Sequence, residues 1–531
     1  MTMGFNRRDL LRSLAGAGLV GTAGGLAGCG IGPADGVAPE YIPYDGSGTP
    51  KRGGRIRIAS MSSSTADTLD PARGGLSTDY VRHFMLYSGL TMYDNKLVAQ
   101  PWLAEEIATD DRIHWTFRLR RGVSFHDGRP LTSADVVYSL LRHKDPATAS
   151  KMKAVAEQIT DARAVDPHEV HVTLATANAD LPAILAASQF LIVPDGTKDF
   201  SRGIGSGPFR LKEFIPGVRT IVARNGDYWR DGRPFLDEIE LIGIPDEMAR
   251  VNALLSGDVQ MINAVNPRST RRIRESPRHA LQITKSSLYT NLILRQDMPI
   301  SRDPDFVLAM KHLIDRETIG RALFRGYSTL ANDQPIQPGH RYYLEGLPQR
   351  PYDPDRARFH LKRAGLIGVR LPIYASPAAE ASVDMAAMLQ QSAAKVGLTL
   401  AVNRVPADGY WSNHWFKHAL TFGNTNPRPT ADLLFTTLFK SDAPWNESGW
   451  KNEQFDQLLV AARGEGDETR RRQMYGDMQV LVHDHCGIGI PAYIDFIDGL
   501  DRRIKGYGPL PLGGFMGYQF AEHVWLDDGN A

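Results

Sequence analysis

The chain has 531 residues, 42% hydrophobic and 23% charged, a balance ordinary for a soluble globular protein. Its formal net charge is +1, and its 61 Lys and Arg are interspersed with 60 Asp and Glu, which excludes the basic stripe of a nucleic-acid surface. About 475 residues follow the N-terminal segments, too many for one hydrophobic core, so two or three lobes are expected.

At the N-terminus, Arg7 and Arg8 in Asn-Arg-Arg-Asp-Leu-Leu precede an apolar stretch from about Ser13 to Ala27, closed by Leu26-Ala27-Gly28-Cys29. A basic head, a short apolar run and a small-residue cleavage site make an export signal, and the arginine pair points to the twin-arginine route. The run is shorter than the roughly 20 apolar residues of a membrane helix. The Cys29 context resembles a bacterial lipobox, so lipid attachment at Cys29 is expected, against an ordinary cleaved signal with an incidental cysteine. Losing Arg7, Arg8, Arg12 and Asp9 subtracts +2 from +1 and leaves the mature chain near −1. Residues 30–54, rich in Gly, Pro, Ala and Asp, read as a flexible tether. With Cys29 acylated, Cys486 has no intramolecular partner, and the fold must stand on packing without a disulfide.

Folding is expected to begin near Arg55, where Arg55-Ile56-Arg57-Ile58-Ala59 alternates like a strand. Trp115, Phe117 and Leu119 alternate with polar residues and run toward a tight turn at Asp127-Gly128. Thr132 and Asp135 resemble a capping box, and Val136, Val137, Leu140 and Leu141 supply a helical stripe. Gly257 reads as a helix C-cap after Met248, Val251, Leu254 and Leu255, with a strand at Val259-Gln260-Met261-Ile262. Asp303-Pro304 starts a helix with Val307, Met310, Leu313 and Ile314 inward, and Asp353-Pro354 starts another. Asp467 caps a long helix on which Met474, Met478, Leu481 and Val482 share a face. The pattern is α/β.

Several stretches, in order, resemble the family 5 extracellular solute-binding proteins of peptide and nickel ABC importers. The strongest is Trp115-Thr116-Phe117-Arg118-Leu119-Arg120-Arg121-Gly122-Val123-Ser124-Phe125-His126-Asp127-Gly128, continuing to Ala134-Asp135-Val136-Val137. Gly205-Ser206-Gly207-Pro208-Phe209, Arg224-Asn225-Gly226-Asp227-Tyr228-Trp229, Ile314-Asp315-Arg316 and Trp445-Asn446-Glu447 follow. Physically these motifs read as structural: Phe125 to Gly128 as a strand end and turn, and Gly205 to Pro208 as a backbone turn at a crossover between lobes. The glycines do not make a phosphate loop, because strand-like alternation rather than a helix follows, and no Gly-Lys dipeptide occurs.

Catalytic chemistry lacks a motif. His414 and His418 are spaced to share a helix face, but Trp415 stands where a zinc protease needs glutamate. His483, His485 and Cys486 end an expected helix, where imidazoles meet the last carbonyls. No G-x-S-x-G elbow occurs. The rival reading is an exported enzyme, often redox-cofactored on the twin-arginine route; no cofactor or metal is expected here.

The resemblance implies a periplasmic-binding-protein-like two-lobed clamp with hinge crossovers and an inserted subdomain: a first lobe of 52–80, 200–287 and 498–531, an insertion at 81–199, and a second lobe at 288–497. It implies capture of a peptide-like or other polar solute by lobe closure, delivery to an ABC permease in the inner membrane, a monomer, and a cell-envelope location. Ligand identity turns on residues 422–432. Peptide-binding members usually carry there an aspartate for the peptide's α-amine, whereas this chain offers Pro427 and Arg428, with Asp432 downstream as a structural acid. Guanidinium in that place favours carboxylate or phosphate and repels ammonium, unless Arg428 points to solvent or pairs with a neighbouring acid. Around it lie Tyr410, Trp411, Trp415 and Trp445, with Trp411 and Trp445 preferred as stacking surfaces. Asn424, Asn426 and Asn446 add loop donors and acceptors, and Tyr289 and Asn291 lie near the second crossover.

Overall fold

A computed structural model describes residues 43–527, so the expected export signal, Cys29 and the first part of the tether lie outside the described residues. Strand Arg55–Ser60 forms where the alternation predicts it, burying Ile56 and Ile58 and leaving Arg55 and Arg57 to pair with Glu238 and Glu240. It runs parallel to Glu238–Gly243 on one side and to Met261–Ile262 on the other. The expected strand at 259–262 is thus shorter, and Met248 of the preceding helix faces outward. Beyond Glu238–Gly243 the antiparallel strands Arg219–Arg224 and Phe209–Ile215 complete that edge.

On the other side two long strands, His279–Leu294 and Ala492–Asp501, carry the sheet across the molecule. His279 to Thr284 pair with Asp501 to Phe496, whereas Tyr289 to Leu294 pair with Thr425 to Leu420 of the strand Leu420–Thr425. The register slips between Thr284 and Leu288. There the Ser286 hydroxyl donates to the Ile494 carbonyl at 2.7 Å and accepts from the Leu288 N–H at 2.9 Å. Such an irregularity bends and twists a strand pair, and here it lies at the passage from one lobe to the other.

Apolar side chains condense into distinct cores. Ile56, Ile58, Phe84, Phe209 and Leu241 fill the first lobe, and Trp115, Phe117, Val136, Leu140 and Val172 pack on a separate antiparallel sheet. That sheet is ordered Ala104–Ala108, His114–Leu119, Glu169–Leu174, Ile159–Asp166. The second lobe has one core around Phe306, Met310, Leu361 and Ile373 and another around Phe435, Phe455, Met478 and Val482. Helix Ser77–Leu86 runs through the expected boundary at 80/81 and buries Val81, Phe84, Met85 and Leu86 in the first-lobe core.

The helix starts follow the expected local chemistry. Asp303 accepts from Asp305 N–H, Asp353 from Arg356 N–H, and Asp467 from Thr469 and Arg470 N–H, opening Pro304–His312, Pro354–Arg363 and Glu468–His485. Asp135 closes a capping box with Thr132, and Gly257 takes the left-handed C-cap at φ +85°. The signature turn fastens the inserted subdomain to the first lobe. His126 N–H donates to the Gly205 carbonyl at 2.8 Å, and its ring lies 3.1 Å from the Gly207 carbonyl. Glycine is required opposite: a Cβ at Gly205 would lie 2.0 Å from the Leu86 carbonyl oxygen.

Candidate functional site

After Thr425 the chain leaves the sheet as Asn426-Pro427-Arg428-Pro429, and the Thr430 hydroxyl caps helix Ala431–Leu438 by accepting from Leu433 N–H at 3.1 Å. Thr425 stands opposite Tyr289 of the first crossing strand, so this loop begins at the level where the lobes join. The half-buried Arg428 donates from Nη1 to the carbonyls of Asn426 and Pro427 at 3.0 and 3.4 Å, and its guanidinium carbon lies 5.9 Å from the Trp445 ring centre. Its charge is felt by Tyr289 on the crossing strand and by Tyr80 on helix Ser77–Leu86 of the first lobe. Burial draws its pKa down, with only those two phenols opposing.

Tyr80 was not legible as a site residue, and neither was Tyr518, whose ring packs 5.3 Å from it. Tyr518 ends a left-handed turn in which Phe515, Met516 and Gly517 have φ of 54°, 55° and 59° and Tyr518 itself 74°. Side chains at positive φ cost about 1 kcal/mol or more each, so the turn needs support. Buried Asp498, on the second crossing strand, accepts from Phe515 N–H at 3.0 Å and from the Tyr507 hydroxyl, which accepts from Met516 N–H at 3.0 Å. Burial pushes the Asp498 carboxyl up to about 6. The sequence signal was available: a glycine-rich stretch holding exposed-type aromatics, Gly513-Gly514-Phe515-Met516-Gly517-Tyr518.

The other expected residues divide into two groups. Trp411 and Trp445 keep 41% and 46% of their surface exposed, and Asn426 is exposed beside Arg428. Asn424 donates to Thr290 Oγ1 at 3.1 Å, and Asn446 donates to the carbonyls of Lys440 and Trp450 at 3.2 and 2.6 Å. Tyr289 is buried with its ring edge-on to Tyr493 of the second crossing strand. Asn291 is fully buried and donates to Glu447 at 2.7 Å, while the other Glu447 oxygen accepts from the Trp415 indole at 2.8 Å.

Burial pushes the Glu447 carboxyl up from 4.5 to about 7. The folded state therefore holds a proton that the unfolded chain releases, and stability declines as pH rises through that window. Asn291 Oδ1 lacks a partner, and turning the amide lets it accept from protonated Glu447. Glu447→Gln, which mimics the protonated form, is expected to match the wild-type melting temperature at pH 5 and exceed it at pH 8. Thermal unfolding across pH checks this, and parallel wild-type and variant profiles would contradict it.

His414 and His418 meet, with Nδ1 and Nε2 3.1 Å apart against Tyr374, but not on the expected helix face, because helix Tyr410–Asn413 ends before them. Among the described residues no group of three or more His, Cys, Asp or Glu is arranged to hold a metal ion, and no helix is long and apolar enough to cross a membrane.

Across from the loop, the inserted subdomain touches the second lobe. Asp180 accepts from Arg471 at 2.8 Å and Arg341 at 3.3 Å, and Ala179 N–H donates to the Arg463 carbonyl at 3.0 Å. Arg463 also holds Asp432, whose carboxyl burial pushes up to about 6. Asp432 is thus paired within its own lobe.

A family model described as bacterial extracellular solute-binding proteins, family 5 middle, matches residues 98–447. The glutathione-binding protein GsiB of Escherichia coli K12 is 25% identical over 474 residues, 85% of this chain and 92% of that one. Among solved structures, DppA of Helicobacter pylori with the peptide STSA superposes with a TM-score of 0.76 at 22% identity, covering 90% of this chain and 99% of that one. AgaA of A. tumefaciens R10 with agropinic acid gives 0.73 at 22%, with the same coverages. The two-lobed architecture, its crossing strands and the matched signature agree, and the chain belongs to the family 5 extracellular solute-binding proteins of ABC importers.

Proposed function

We propose that the protein captures a peptide-like or other polar small solute between its lobes and delivers it, unaltered, to an ABC permease. The observation that carries this reading is that Arg428, on a second-lobe loop, lies beside Trp445 where the crossing strand brings Tyr289 opposite Thr425, with its charge reaching Tyr80 on a first-lobe helix. Closure around such a site buries the ligand and changes the surface a permease meets. Ligand contacts fall to Arg428, Trp445, Trp411 and Asn426, while Asn291, Asn424 and Asn446 brace them and Tyr289 anchors the hinge side. The named ligands of the relatives, glutathione, a peptide and agropinic acid, support a small polar solute without choosing among them. Arg7-Arg8 and Cys29 support export and lipid attachment, and stable attachment calls for more than one acyl chain.

The test is a thermal-shift screen of the chain lacking residues 1–29 against short peptides, glutathione, opines and nickel chelates, followed by calorimetry. A solute present at 100 times its Kd is expected to add about 2.7 kcal/mol of stability and to be recovered intact. Conversion of the solute overturns the reading in favour of an exported enzyme.

A further inference from the structure

Arg428 differs from the arginines that are fully buried among the described residues. Arg82 pairs with Asp67 and Asp79, Arg316 and Arg350 share Asp333, and Arg471 holds Asp180. Arg250 is spent on the carbonyls of Ile244, Pro245, Asn263 and Ala264. Arg428 uses Nη1 alone, on two carbonyls of its own loop. Its Nε and Nη2 have no partner among the described residues, and neither is sealed from solvent. That edge is the planar fork through which arginine grips a carboxylate with two parallel hydrogen bonds.

The acids on the elements around Arg428 are buried and engaged, Asp498 beneath the Tyr518 turn through the one oxygen that accepts from Phe515 N–H and the Tyr507 hydroxyl. Asp79 accepts from Arg82 and from the Thr68, Gly75 and Leu76 N–H groups, Asp432 accepts from Arg463, and Glu447 accepts from Asn291 and Trp415. The cleft therefore offers a free cation, flanked by the Trp445 ring and two phenols, and none of these acids is spare to receive an ammonium.

Resting on the reading of the cleft as the solute site, we infer that the open fork of Arg428 docks a carboxylate of the solute and that the protein selects acidic solutes over their neutral counterparts. Trp445 supplies the apolar wall beside that carboxylate, and closure brings Tyr80 against it from the first lobe.

Matched pairs test this by calorimetry: trialanine against its C-terminal amide, and glutathione against its diethyl ester, each with the chain lacking residues 1–29 and with Arg428→Gln. In at least one pair the acid is expected to bind about 10- to 100-fold tighter than the neutral partner, and Arg428→Gln to abolish that difference by weakening only the acid. Equal affinities within every pair that binds, or a preference that survives Arg428→Gln, overturn the inference and leave solute capture standing. So does a solute panel whose hits all lack an anionic group. A panel with no hit at all removes solute capture and the inference with it. One arm needs no solute: without ligand, Arg428→Gln is expected to melt at or above the wild-type temperature, since an unpaired cation is removed. A fall of several degrees would assign Arg428 to holding its loop and overturn the inference.

Discussion

Asp333→Asn is expected to cost the second lobe about 3–5 kcal/mol, the penalty of removing one partner from a buried ion pair. Asp333 is 0% exposed and accepts from Arg316 at 2.6 Å, Arg350 at 3.0 Å and Ile490 N–H at 2.9 Å. Lys311 lies close enough to feel the same charge, with burial pushing its amine down to about 8. Burial alone would raise the Asp333 carboxyl, but Arg316, Lys311 and Arg350 outweigh it and hold the group well below the usual range. The sign follows: this contribution is present at neutral pH and is lost only as strong acid protonates Asp333. Asparagine tolerates the left-handed backbone found there, φ +57°, so the loss is one of charge rather than strain. Denaturant unfolding, read together with hydrogen exchange across 311–333, should show the loss in the second lobe, and an unchanged midpoint would refute the argument.

Asp180→Asn is expected to weaken every ligand by at least ~10-fold, through closure rather than contact. Asp180 is buried in the inserted subdomain, and Arg471, on helix Glu468–His485, reaches it across the lobes while also donating to the Tyr342 hydroxyl at 3.0 Å. When the lobes part, water solvates both ions. When they meet, Asp180 exchanges that water for Arg471 and Arg341, so asparagine, which removes the charge both arginines face, taxes the closed form alone. Calorimetry with any solute from the screen should show the same factor for acidic and neutral ligands. X-ray scattering at saturating ligand should show the same compact form as wild type. A factor that depends on ligand chemistry would instead make Asp180 a contact residue.

The sequence shows best what is decided within a few residues. Asp303, Asp353 and Asp467 announce helices because each side chain satisfies N–H groups two or three positions on. The signature turn was visible as a turn, but its purpose was not, because His126 meets Gly205 and Gly207 some 80 residues away. The same distance limit governs the cleft. Arg428 stood out by its charge in a proline-flanked loop, whereas Tyr80, Tyr518 and the Asp180–Arg471 pair, 291 residues apart, emerge only when the lobes are assembled. Asn291, Asn424 and Asn446 show the converse. Their donors suggested a polar pocket, but residue type does not reveal that each donor is already engaged inside the second lobe.

The described N-terminal end is fastened to one lobe only. The Tyr44 hydroxyl donates to the Ile504 carbonyl at 2.9 Å, Gly506 N–H donates to the Gly46 carbonyl at 2.8 Å, and Lys51 pairs with Asp527 beside the last strand. A pull from a membrane attachment upstream would therefore be borne by the first lobe, and the bulged crossing strands would carry none of it. With such an attachment the second lobe would swing as an unloaded arm, its opening set by ligand and ion pairs rather than by tension from the membrane.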